Sequence, residues 1–279
     1  DLAEIHVDCQ QQCVRVLTLK VEKLAAPMGA AVSGLDVKKV DAETFEVLDR
    51  LFCEHQVLVF PDQELTPEEQ MNFASHWGPL VRHPYAGLNE FPEIIELTNR
   101  GKRKDVNQHW HTDMSYNLLP PKLTMLYAHE APEFGGDTAF ANQVLAYEEM
   151  SAGLRSTIDS LRALHTAEEL AGIYGEGANN APRAEHPVVR THDVTSLRAL
   201  YVCRAFTKRF VDWSAHESRA LLEHLFEQAT RIEFQFRHRW QKKDLVMWDN
   251  RSVLHFAVHD HGEQPRRIHR LQVEGPKPV

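Results

Sequence analysis

The chain has 279 residues, with 31 lysines and arginines against 40 aspartates and glutamates, so its formal net charge is −9 at pH 7. An acidic chain of this kind lacks the basic footprint that nucleic-acid-binding modules need. The chain also contains 17 histidines, and neutral imidazole is a common ligand of zinc, copper and iron. A metal site is therefore the first hypothesis, with surface or hydrogen-bonded core histidines as the alternative.

With 43% hydrophobic and 25% charged residues, the composition is typical of a globular protein, and the length suits one large domain or two small ones. No run reaches the roughly 20 apolar residues of a membrane span, and the N-terminal segment lacks the basic-then-apolar order of a signal peptide. We therefore expect a cytoplasmic protein with neither a membrane nor a nucleic acid as partner. The four cysteines predict no disulfide framework and no four-cysteine zinc site: Cys9, Cys13, Cys53 and Cys203.

The first part of the chain predicts strands that alternate with helices. Residues 14–23 largely alternate apolar and polar side chains, as a half-buried strand does. Residues 42–55 carry apolar side chains at helical spacing and run into residues 57–60, a short buried-strand signal. A second helix is predicted from Thr66 to about Trp77, because a capping residue is followed by a proline at the first helical position.

The rest of the chain is dominated by short strand-like runs. Helices are predicted at residues 145–161, with a break near Ser151, and at residues 214–229. Residues 170–186 contain no clear element, which predicts either a mobile loop that closes over a site or an ordered surface loop. The strands are predicted at residues 94–97, 123–127, 137–141, 188–190, 200–202, 232–240, 245–248 and 267–273.

The chain contains no internal repeat, no low-complexity tract and no obvious linker. We therefore predict a single domain over residues 1–279, with residues 1–14 as a candidate flexible N-terminal extension. Many short strands with flanking helices favour a mainly β fold with a barrel or jelly-roll core over an alternating parallel sheet.

The most informative stretch is residues 107–113, which ends in His111-Thr112-Asp113. If this stretch is extended, His111 and Asp113 point to the same side, because strand side chains repeat every two residues. A third ligand would complete a two-histidine, one-carboxylate face on a metal with open positions, and His255 is the candidate. The alternatives are a histidine hydrogen-bonded to a nearby acid and, for His255, a buried core residue.

Several groups of residues, separated along the chain, carry a resemblance through their order and spacing. They are Trp110-His111-Thr112-Asp113, Gly135-Gly136-Asp137-Thr138, Trp248-Asp249-Asn250-Arg251, His255, Arg266 and Arg270. In these residues, and over nearly the whole chain from about Leu17, the sequence resembles the TauD/TfdA (taurine dioxygenase) family of Fe(II)- and 2-oxoglutarate-dependent dioxygenases. The resemblance implies a double-stranded β-helix, the cupin-like jelly roll.

The resemblance also implies a reaction and a set of site residues. His111, Asp113 and His255 become the Fe(II) ligands, while Thr138 and Arg266 would hold the distal carboxylate of 2-oxoglutarate. The reaction consumes O2, converts 2-oxoglutarate to succinate and carbon dioxide, and hydroxylates a C–H bond of a second substrate. The metal supplies the difficult chemistry, and the protein supplies orientation and the exclusion of water.

The implied second substrate is a small organic anion. Arg270 is the candidate for its acid group, since a guanidinium in a barrel needs an anion, and the resemblance adds His83, Asn107 and Phe206. These matches favour an organosulfonate such as taurine. Ala86 stands where the taurine-specific relatives have a tyrosine, so an alkyl sulfate or an aryloxyalkanoate fits equally well. A packing or surface role is the alternative for His83, Asn107 and Phe206.

The rival from another chemical class is a zinc hydrolase with the same two histidines and one aspartate around an activated water. It leaves Thr138, Arg266 and Arg270 unexplained, and a non-catalytic binding protein leaves the complete ligand set unexplained. Residues 259–261, His-Asp-His, are predicted to lie in a solvated loop. Members of the resembling family are commonly dimers or tetramers, which implies a homo-oligomer.

Overall fold

The computed structural model describes residues 19–83, 86–98, 109–170 and 180–279. Strands dominate these residues and helices flank them, as the sequence predicts. None of the helices in these ranges is both long enough and apolar enough to cross a membrane. The helices are α1 (Ala42–His55), α2 (Pro67–Ser75), α3 (Gln143–Glu148), α4 (Ala152–Ile158) and α5 (Ala215–Ala229), with short 3-10 helices at Val37–Lys39 and Ile232–Phe234.

The strands form a large sheet, a small sheet facing it and two outer groups. They are β1 (Lys20–Lys23), β2 (Ala30–Ser33), β3 (Val57–Phe60), β4 (Ile95–Thr98), β5 (Leu123–Glu130), β6 (Thr138–Asn142), β7 (Arg162–Thr166), β8 (Arg183–Pro187), β9 (Val189–Thr191), β10 (Arg198–Leu200), β11 (Thr207–Phe210), β12 (Gln235–His238), β13 (Leu245–Asp249), β14 (Val253–Ala257) and β15 (Arg267–Val273). The large sheet has the order β1-β2-β3-β13-β5-β15-β4 and the small sheet the order β12-β6-β14.

The central strands of the large sheet are buried on both faces. On β13, Leu245 and Met247 pack towards helices α1 and α2, whereas Val246 and Trp248 pack against Phe140 of the small sheet. A strand that is covered on both faces has a continuous run of apolar residues in its sequence, rather than an alternation of apolar and polar residues. The large sheet is antiparallel except for the parallel pair of β2 and β3, and the small sheet is antiparallel. The two sheets share one apolar layer and form the predicted jelly-roll core, which is confirmed.

Helices α1 and α2 each begin at a side-chain cap, and the cap of α2, Thr66, is the one that the sequence predicts. The Asp41 side chain accepts from the Thr44 N–H at the start of α1, and Gln56 ends that helix in the left-handed region. At α2, Thr66 and Glu69 form a reciprocal capping box. These caps satisfy backbone N–H groups that have no partner inside the helix, so both helices are fixed as the outer layer over the large sheet.

The second outer layer lies on the side of the small sheet. It combines the sheet β11-β7-β8, the hairpin of β9 and β10, and helices α3 and α5 around one apolar cluster. The predicted break near Ser151 is confirmed, because the Ser151 hydroxyl accepts from the Leu154 N–H and starts α4. The helix ends at Ile158 rather than at residue 161, since β7 begins at Arg162.

Several sequence predictions about elements need correction. Strand β8 occupies part of the predicted loop 170–186, and residues 171–179 lie outside the described residues, as do residues 1–14 and the start of the first predicted strand. Residues 232–240 begin with a 3-10 turn before β12. The sequence does not predict strands β7, β8 and β11, because polar side chains fill buried positions in them, among them His165, His186 and Thr207.

Candidate metal centre

His111 and His255 lie side by side because their backbones pair at one isolated bridge. The His111 N–H donates to the His255 carbonyl at 3.0 Å, and the His255 N–H donates to the His111 carbonyl at 2.8 Å. The two imidazole rings are 4.1 Å apart between centroids. Since His255 belongs to β14, the small sheet fixes the position of both rings.

Asp113 completes the cluster through a turn rather than through a strand. Among residues 109–113, the described part of the predicted extended stretch, only His111 pairs with another strand. The chain then turns from Asp113 onward, with Met114 at φ 49°. Asp113 Oδ1 lies 3.8 Å from His111 Nε2 and 3.7 Å from His255 Nε2. All three residues are buried, and their ligand atoms lie within 4.8 Å of one another. The structure thus brings His111 and Asp113 to one point.

The protonation of the cluster suits a divalent cation. The His111 Nδ1 lies 2.8 Å from the His109 carbonyl, which can only accept, so the proton is on Nδ1 and the Nε2 lone pair faces the cluster. Burial, the neighbouring His111 and the Arg270 charge hold the pKa of His255 well below its ordinary value. Burial opposes the charge of Asp113, but His255, Arg270 and His111 outweigh it and hold the pKa of that carboxyl well below its usual range.

These three side chains therefore present two neutral imidazole nitrogens and one carboxylate oxygen to a single point. Within the described residues, neither His255 Nε2 nor Asp113 Oδ1 takes part in a hydrogen bond, so both remain available to a cation. Two histidines and one carboxylate on one side of a metal leave its other positions open, the arrangement typical of non-haem Fe(II) oxygenases. The donor set fits Fe(II).

A buried hydrogen-bond network holds the Asp113 carboxylate. The Thr124 hydroxyl on β5 donates to Asp113 Oδ2 at 2.5 Å. Its oxygen in turn accepts from Asn250 Nδ2 at 2.8 Å and from Gln272 Nε2 at 3.2 Å. The Trp248 indole N–H donates to Asn250 Oδ1 at 3.0 Å. Thr124 and Gln272 are not predicted from the sequence, since nothing in their local pattern distinguishes them from other buried strand residues.

Arg270 brings a positive charge to the edge of the cluster. Its Nη1 lies 3.7 Å from Asp113 Oδ1, and its Nε is buried without a hydrogen-bond partner in the described residues. His83 lies within the influence of this charge. Burial first, and then Arg270, lowers the pKa of His83 to about 4, and His83 Nε2 is also buried without a partner in the described part of the chain. The charges of Arg270 and Asp113 thus both act on the His83 imidazole.

Phe206, which the resemblance implies as a substrate residue, also lies at the cluster. The Phe206 ring meets the His111 ring edge-on at 6.0 Å and the Tyr116 ring edge-on at 5.0 Å. Tyr116 is a contact that the sequence does not single out. Asn107, the remaining predicted substrate residue, lies outside the described residues.

Thr138 lies on the same sheet face as His255. In the antiparallel pair of β6 and β14, His255 is opposite Phe140 and Ala257 is opposite Thr138. Opposed residues share a face and alternate residues return to it, so Thr138 stands two residues, or about 7 Å, along the sheet from His255. Arg266 reaches the same region, because its Nε donates to the Gly136 carbonyl at 3.2 Å.

The predicted solvated loop at residues 259–261 is wrong for His261. Only 6% of His261 is exposed, and its ring lies against Gly136. Asp260 is also engaged, because its Oδ1 accepts from the Gly136 N–H at 2.8 Å. The loop therefore covers the turn that leads into β6, and it offers no second metal cluster in the described residues.

Comparison with known proteins decides the family. The model of the taurine catabolism dioxygenase TauD, TfdA family matches residues 20–272. The chain belongs to this family. It is similar to an alkylsulfatase of Acinetobacter baylyi, with 34% identity over 92% of this chain and 85% of the relative. It is also similar to an alpha-ketoglutarate-dependent sulfate ester dioxygenase of Pseudomonas putida, with 32% identity over 94% of this chain and 92% of the relative.

Solved structures agree with this membership in the TauD/TfdA family. A taurine dioxygenase from Burkholderia xenovorans superposes with a TM-score of 0.83 at 33% identity, covering 94% of this chain and 91% of that chain. The protein is a 2-oxoglutarate-dependent dioxygenase, an oxidoreductase that requires Fe(II) and O2, as the sequence resemblance implies. The zinc-hydrolase alternative finds no support among these relatives.

Proposed function

We propose that this dioxygenase hydroxylates the carbon that carries the sulfur-oxyanion group of a small organosulfonate or sulfate ester. The observation that carries the proposal is the Arg270 guanidinium beside Asp113, with Nε buried and without a partner in the described residues. A guanidinium binds sulfonate and sulfate oxygens through its fork of donors. An acid group held there places the neighbouring C–H bonds close to the metal ligands.

The proposed site residues divide into three groups. His111, Asp113 and His255 hold Fe(II), which supplies the oxidising chemistry once 2-oxoglutarate and O2 are present. Thr138 and Arg266 bind the distal carboxylate of 2-oxoglutarate. The acid group of the second substrate is held by Arg270, His83 and Asn107, and its carbon chain packs on Phe206.

Hydroxylation next to the heteroatom determines the products. A sulfonate becomes an α-hydroxysulfonate, which breaks its C–S bond to give an aldehyde and sulfite. A sulfate ester becomes a hemiacetal sulfate, which breaks its C–O bond to give an aldehyde and sulfate. One molecule of 2-oxoglutarate is converted to succinate and carbon dioxide in each case.

A sulfate ester with an alkyl chain is the second candidate within this class. Two of the similar proteins are an alkylsulfatase and a sulfate ester dioxygenase. The aromatic pair of Tyr116 and Phe206 supplies an apolar surface beside the metal ligands. Taurine, whose far end is an ammonium group, gains nothing from such a surface, whereas an alkyl chain buries apolar area there.

The proposed setting is the cytoplasm, and the proposed assembly is a homo-oligomer. Cys53 and Cys203 are free thiols, which suits a reducing compartment. The chain is proposed to act as one domain.

Three matched arginine variants test the two anion sites. Arg270→Met should weaken the apparent affinity for the sulfonate or sulfate at least about 30-fold, the effect of losing a buried charged contact of about 2 kcal/mol, and should change the apparent affinity for 2-oxoglutarate little. Arg266→Met should do the reverse. Arg267→Met is the control, because Arg267 lies between Arg266 and Arg270 on the chain but pairs with Glu96 and Glu130. In this variant both affinities should stay unchanged.

Steady-state kinetics with each substrate varied in turn measures these effects. If Arg270→Met and Arg266→Met weaken the apparent affinity for the same ligand equally, the assignment of the two arginines is contradicted.

A further inference from the structure

Trp240 contacts both side chains assigned to the distal carboxylate of 2-oxoglutarate. It is 2% exposed and follows strand β12. Its indole N–H donates to Thr138 Oγ1 at 3.0 Å. The Arg266 guanidinium carbon lies 5.9 Å from the centre of its ring, within the range of a cation–π contact.

The direction of the bond to Thr138 follows from the chemistry of the two groups. An indole nitrogen can only donate, so the Thr138 oxygen must be the acceptor. The hydroxyl proton of Thr138 then points elsewhere, and it is the group that a carboxylate oxygen requires as donor. Trp240 therefore orients Thr138 as a donor, which a freely rotating hydroxyl would be for only part of the time.

Arg266 is held from two sides. Its Nε donates to the Gly136 carbonyl at 3.2 Å, and its guanidinium carbon lies over the Trp240 ring. The hydrogen bond and the ring contact together restrict the rotamers that the Arg266 side chain can adopt. An arginine that is fixed before the ligand arrives loses less conformational entropy on binding.

Trp240 is itself fixed by the turn between β12 and β13. Its ring meets the His238 ring edge-on at 4.9 Å, and His238 Nε2 lies 3.0 Å from Asp244 Oδ2. The same carboxylate oxygen accepts from the Gln241 N–H at 2.9 Å. His238 is also directly opposite Thr138 in the small sheet, so the turn holds the indole at the level of Thr138.

We propose that Trp240 is a positioning residue for 2-oxoglutarate, which orients the Thr138 hydroxyl through its N–H and the Arg266 guanidinium through its ring. The inference rests on the proposed function, since that function assigns Thr138 and Arg266 to the distal carboxylate. Trp240 acts through these two residues and does not itself bond to the ligand.

A double-mutant cycle tests the N–H. Trp240→Phe keeps an aromatic face and removes the donor, while Thr138→Val removes its acceptor and Thr138→Ser keeps it. Binding of 2-oxoglutarate is measured by calorimetry on Mn(II)-loaded protein without oxygen. We expect Trp240→Phe to weaken binding about fivefold in the wild-type and Thr138→Ser backgrounds, and to have no further effect in the Thr138→Val background.

The controls separate positioning from general damage. Trp213→Phe, which changes a partly exposed indole packed on Phe210, should leave the affinity unchanged. Trp240→Leu, which removes the ring face as well, should weaken binding more than Trp240→Phe does. An equal loss from Trp240→Phe in all three backgrounds would overturn the inference. If Thr138→Val and Arg266→Met leave 2-oxoglutarate binding intact, the carboxylate assignment fails instead.

Discussion

At the scale of single residues, the Asp113 carboxylate depends on a neighbour that binds no metal itself. One oxygen of Asp113 faces the two histidines, and the other accepts from the Thr124 hydroxyl. Hydrogen-bond partners of this kind orient a metal ligand, and their removal commonly weakens metal affinity roughly 10- to 100-fold. Thr124 is in turn oriented by Asn250 and Gln272.

The Thr124→Val variant should therefore bind metal about 10- to 100-fold more weakly, because Asp113 loses its orienting donor and the buried amides of Asn250 and Gln272 lose their acceptor. Thr124→Ser, which keeps the hydroxyl, should stay close to the wild type. The affinity is measured by titrating the protein with Mn(II) and following the free ion by electron paramagnetic resonance. Wild-type affinity in a folded Thr124→Val protein would contradict the role assigned to this hydroxyl.

The residues that the sequence could identify are those whose spacing is local or whose chemistry is distinctive. His111 and Asp113 are two residues apart, and His255, Arg266 and Arg270 lie close together near the C-terminal end of the sequence. Their residue types and their spacing can therefore be recognised in the sequence alone. Thr124 and Trp240 are different, because each meets its partner only after strands from distant parts of the chain pair with one another. No pattern within one strand distinguishes them.

At the scale of elements, the turn before β6 contacts Arg266, which is proposed to bind the distal carboxylate of 2-oxoglutarate. Gly136 has a φ of 69°, and a Cβ there would lie 3.0 Å from Pro132 Cγ and 3.2 Å from the His261 ring. Its carbonyl accepts from Arg266 Nε. A side chain at this position must therefore displace either its neighbours or the acceptor of Arg266.

A matched pair of glycine variants separates the cost of backbone strain at a positive φ from the cost of displacing the neighbouring residues. Gly262 also has a positive φ, 58°, but a Cβ there would meet nothing within 4 Å. Gly262→Ala should cost about 1 kcal/mol of unfolding free energy from backbone strain alone, with normal 2-oxoglutarate affinity. Gly136→Ala should cost more and should also weaken 2-oxoglutarate binding.

Chemical denaturation and calorimetry measure these two effects. Equal behaviour of Gly136→Ala and Gly262→Ala in both experiments would show that the turn before β6 has no bearing on the Arg266 site.

Element prediction succeeded where burial is one-sided or where caps are explicit. Helix α1 has the bounds that its apolar spacing predicts, and α2 begins at its capping box. Strand β8 failed for a physical reason, since its inward residues are Ala184 and His186, which carry no apolar signal.

At the scale of the whole molecule, two buried histidines and one half-buried histidine predict loss of stability in acid. Burial lowers the pKa of His165 to about 3 and, with smaller contributions from neighbouring charges, the pKa of His129 and His186 to about 4. Each value lies below the ordinary histidine pKa of about 6.5, so the unfolded chain takes up these protons first. Their contribution to stability is complete above about pH 6.5 and is lost as the pH falls towards about 4 and about 3.

Urea unfolding at a series of pH values from about 7.5 to about 4 measures this effect. The free energy of unfolding should fall steadily over that range, and the fall should be smaller in His129→Gln, which removes one of the three groups. A free energy of unfolding that stays constant over the range, or that rises in acid, would contradict the assignment of these histidines as neutral in the folded protein.

The central claim is that the enzyme hydroxylates an organosulfonate or a sulfate ester, and one assay tests it most directly. Fe(II), 2-oxoglutarate and O2 are supplied with a panel of alkylsulfonates, alkyl sulfates and aryloxyalkanoates, and succinate is measured together with released sulfite and sulfate. We predict that succinate forms with at least one sulfur compound, in equal amount to the sulfite or sulfate released, and that His111→Ala abolishes both. Turnover of aryloxyalkanoates alone, or succinate formation without release of either sulfur anion, would contradict it.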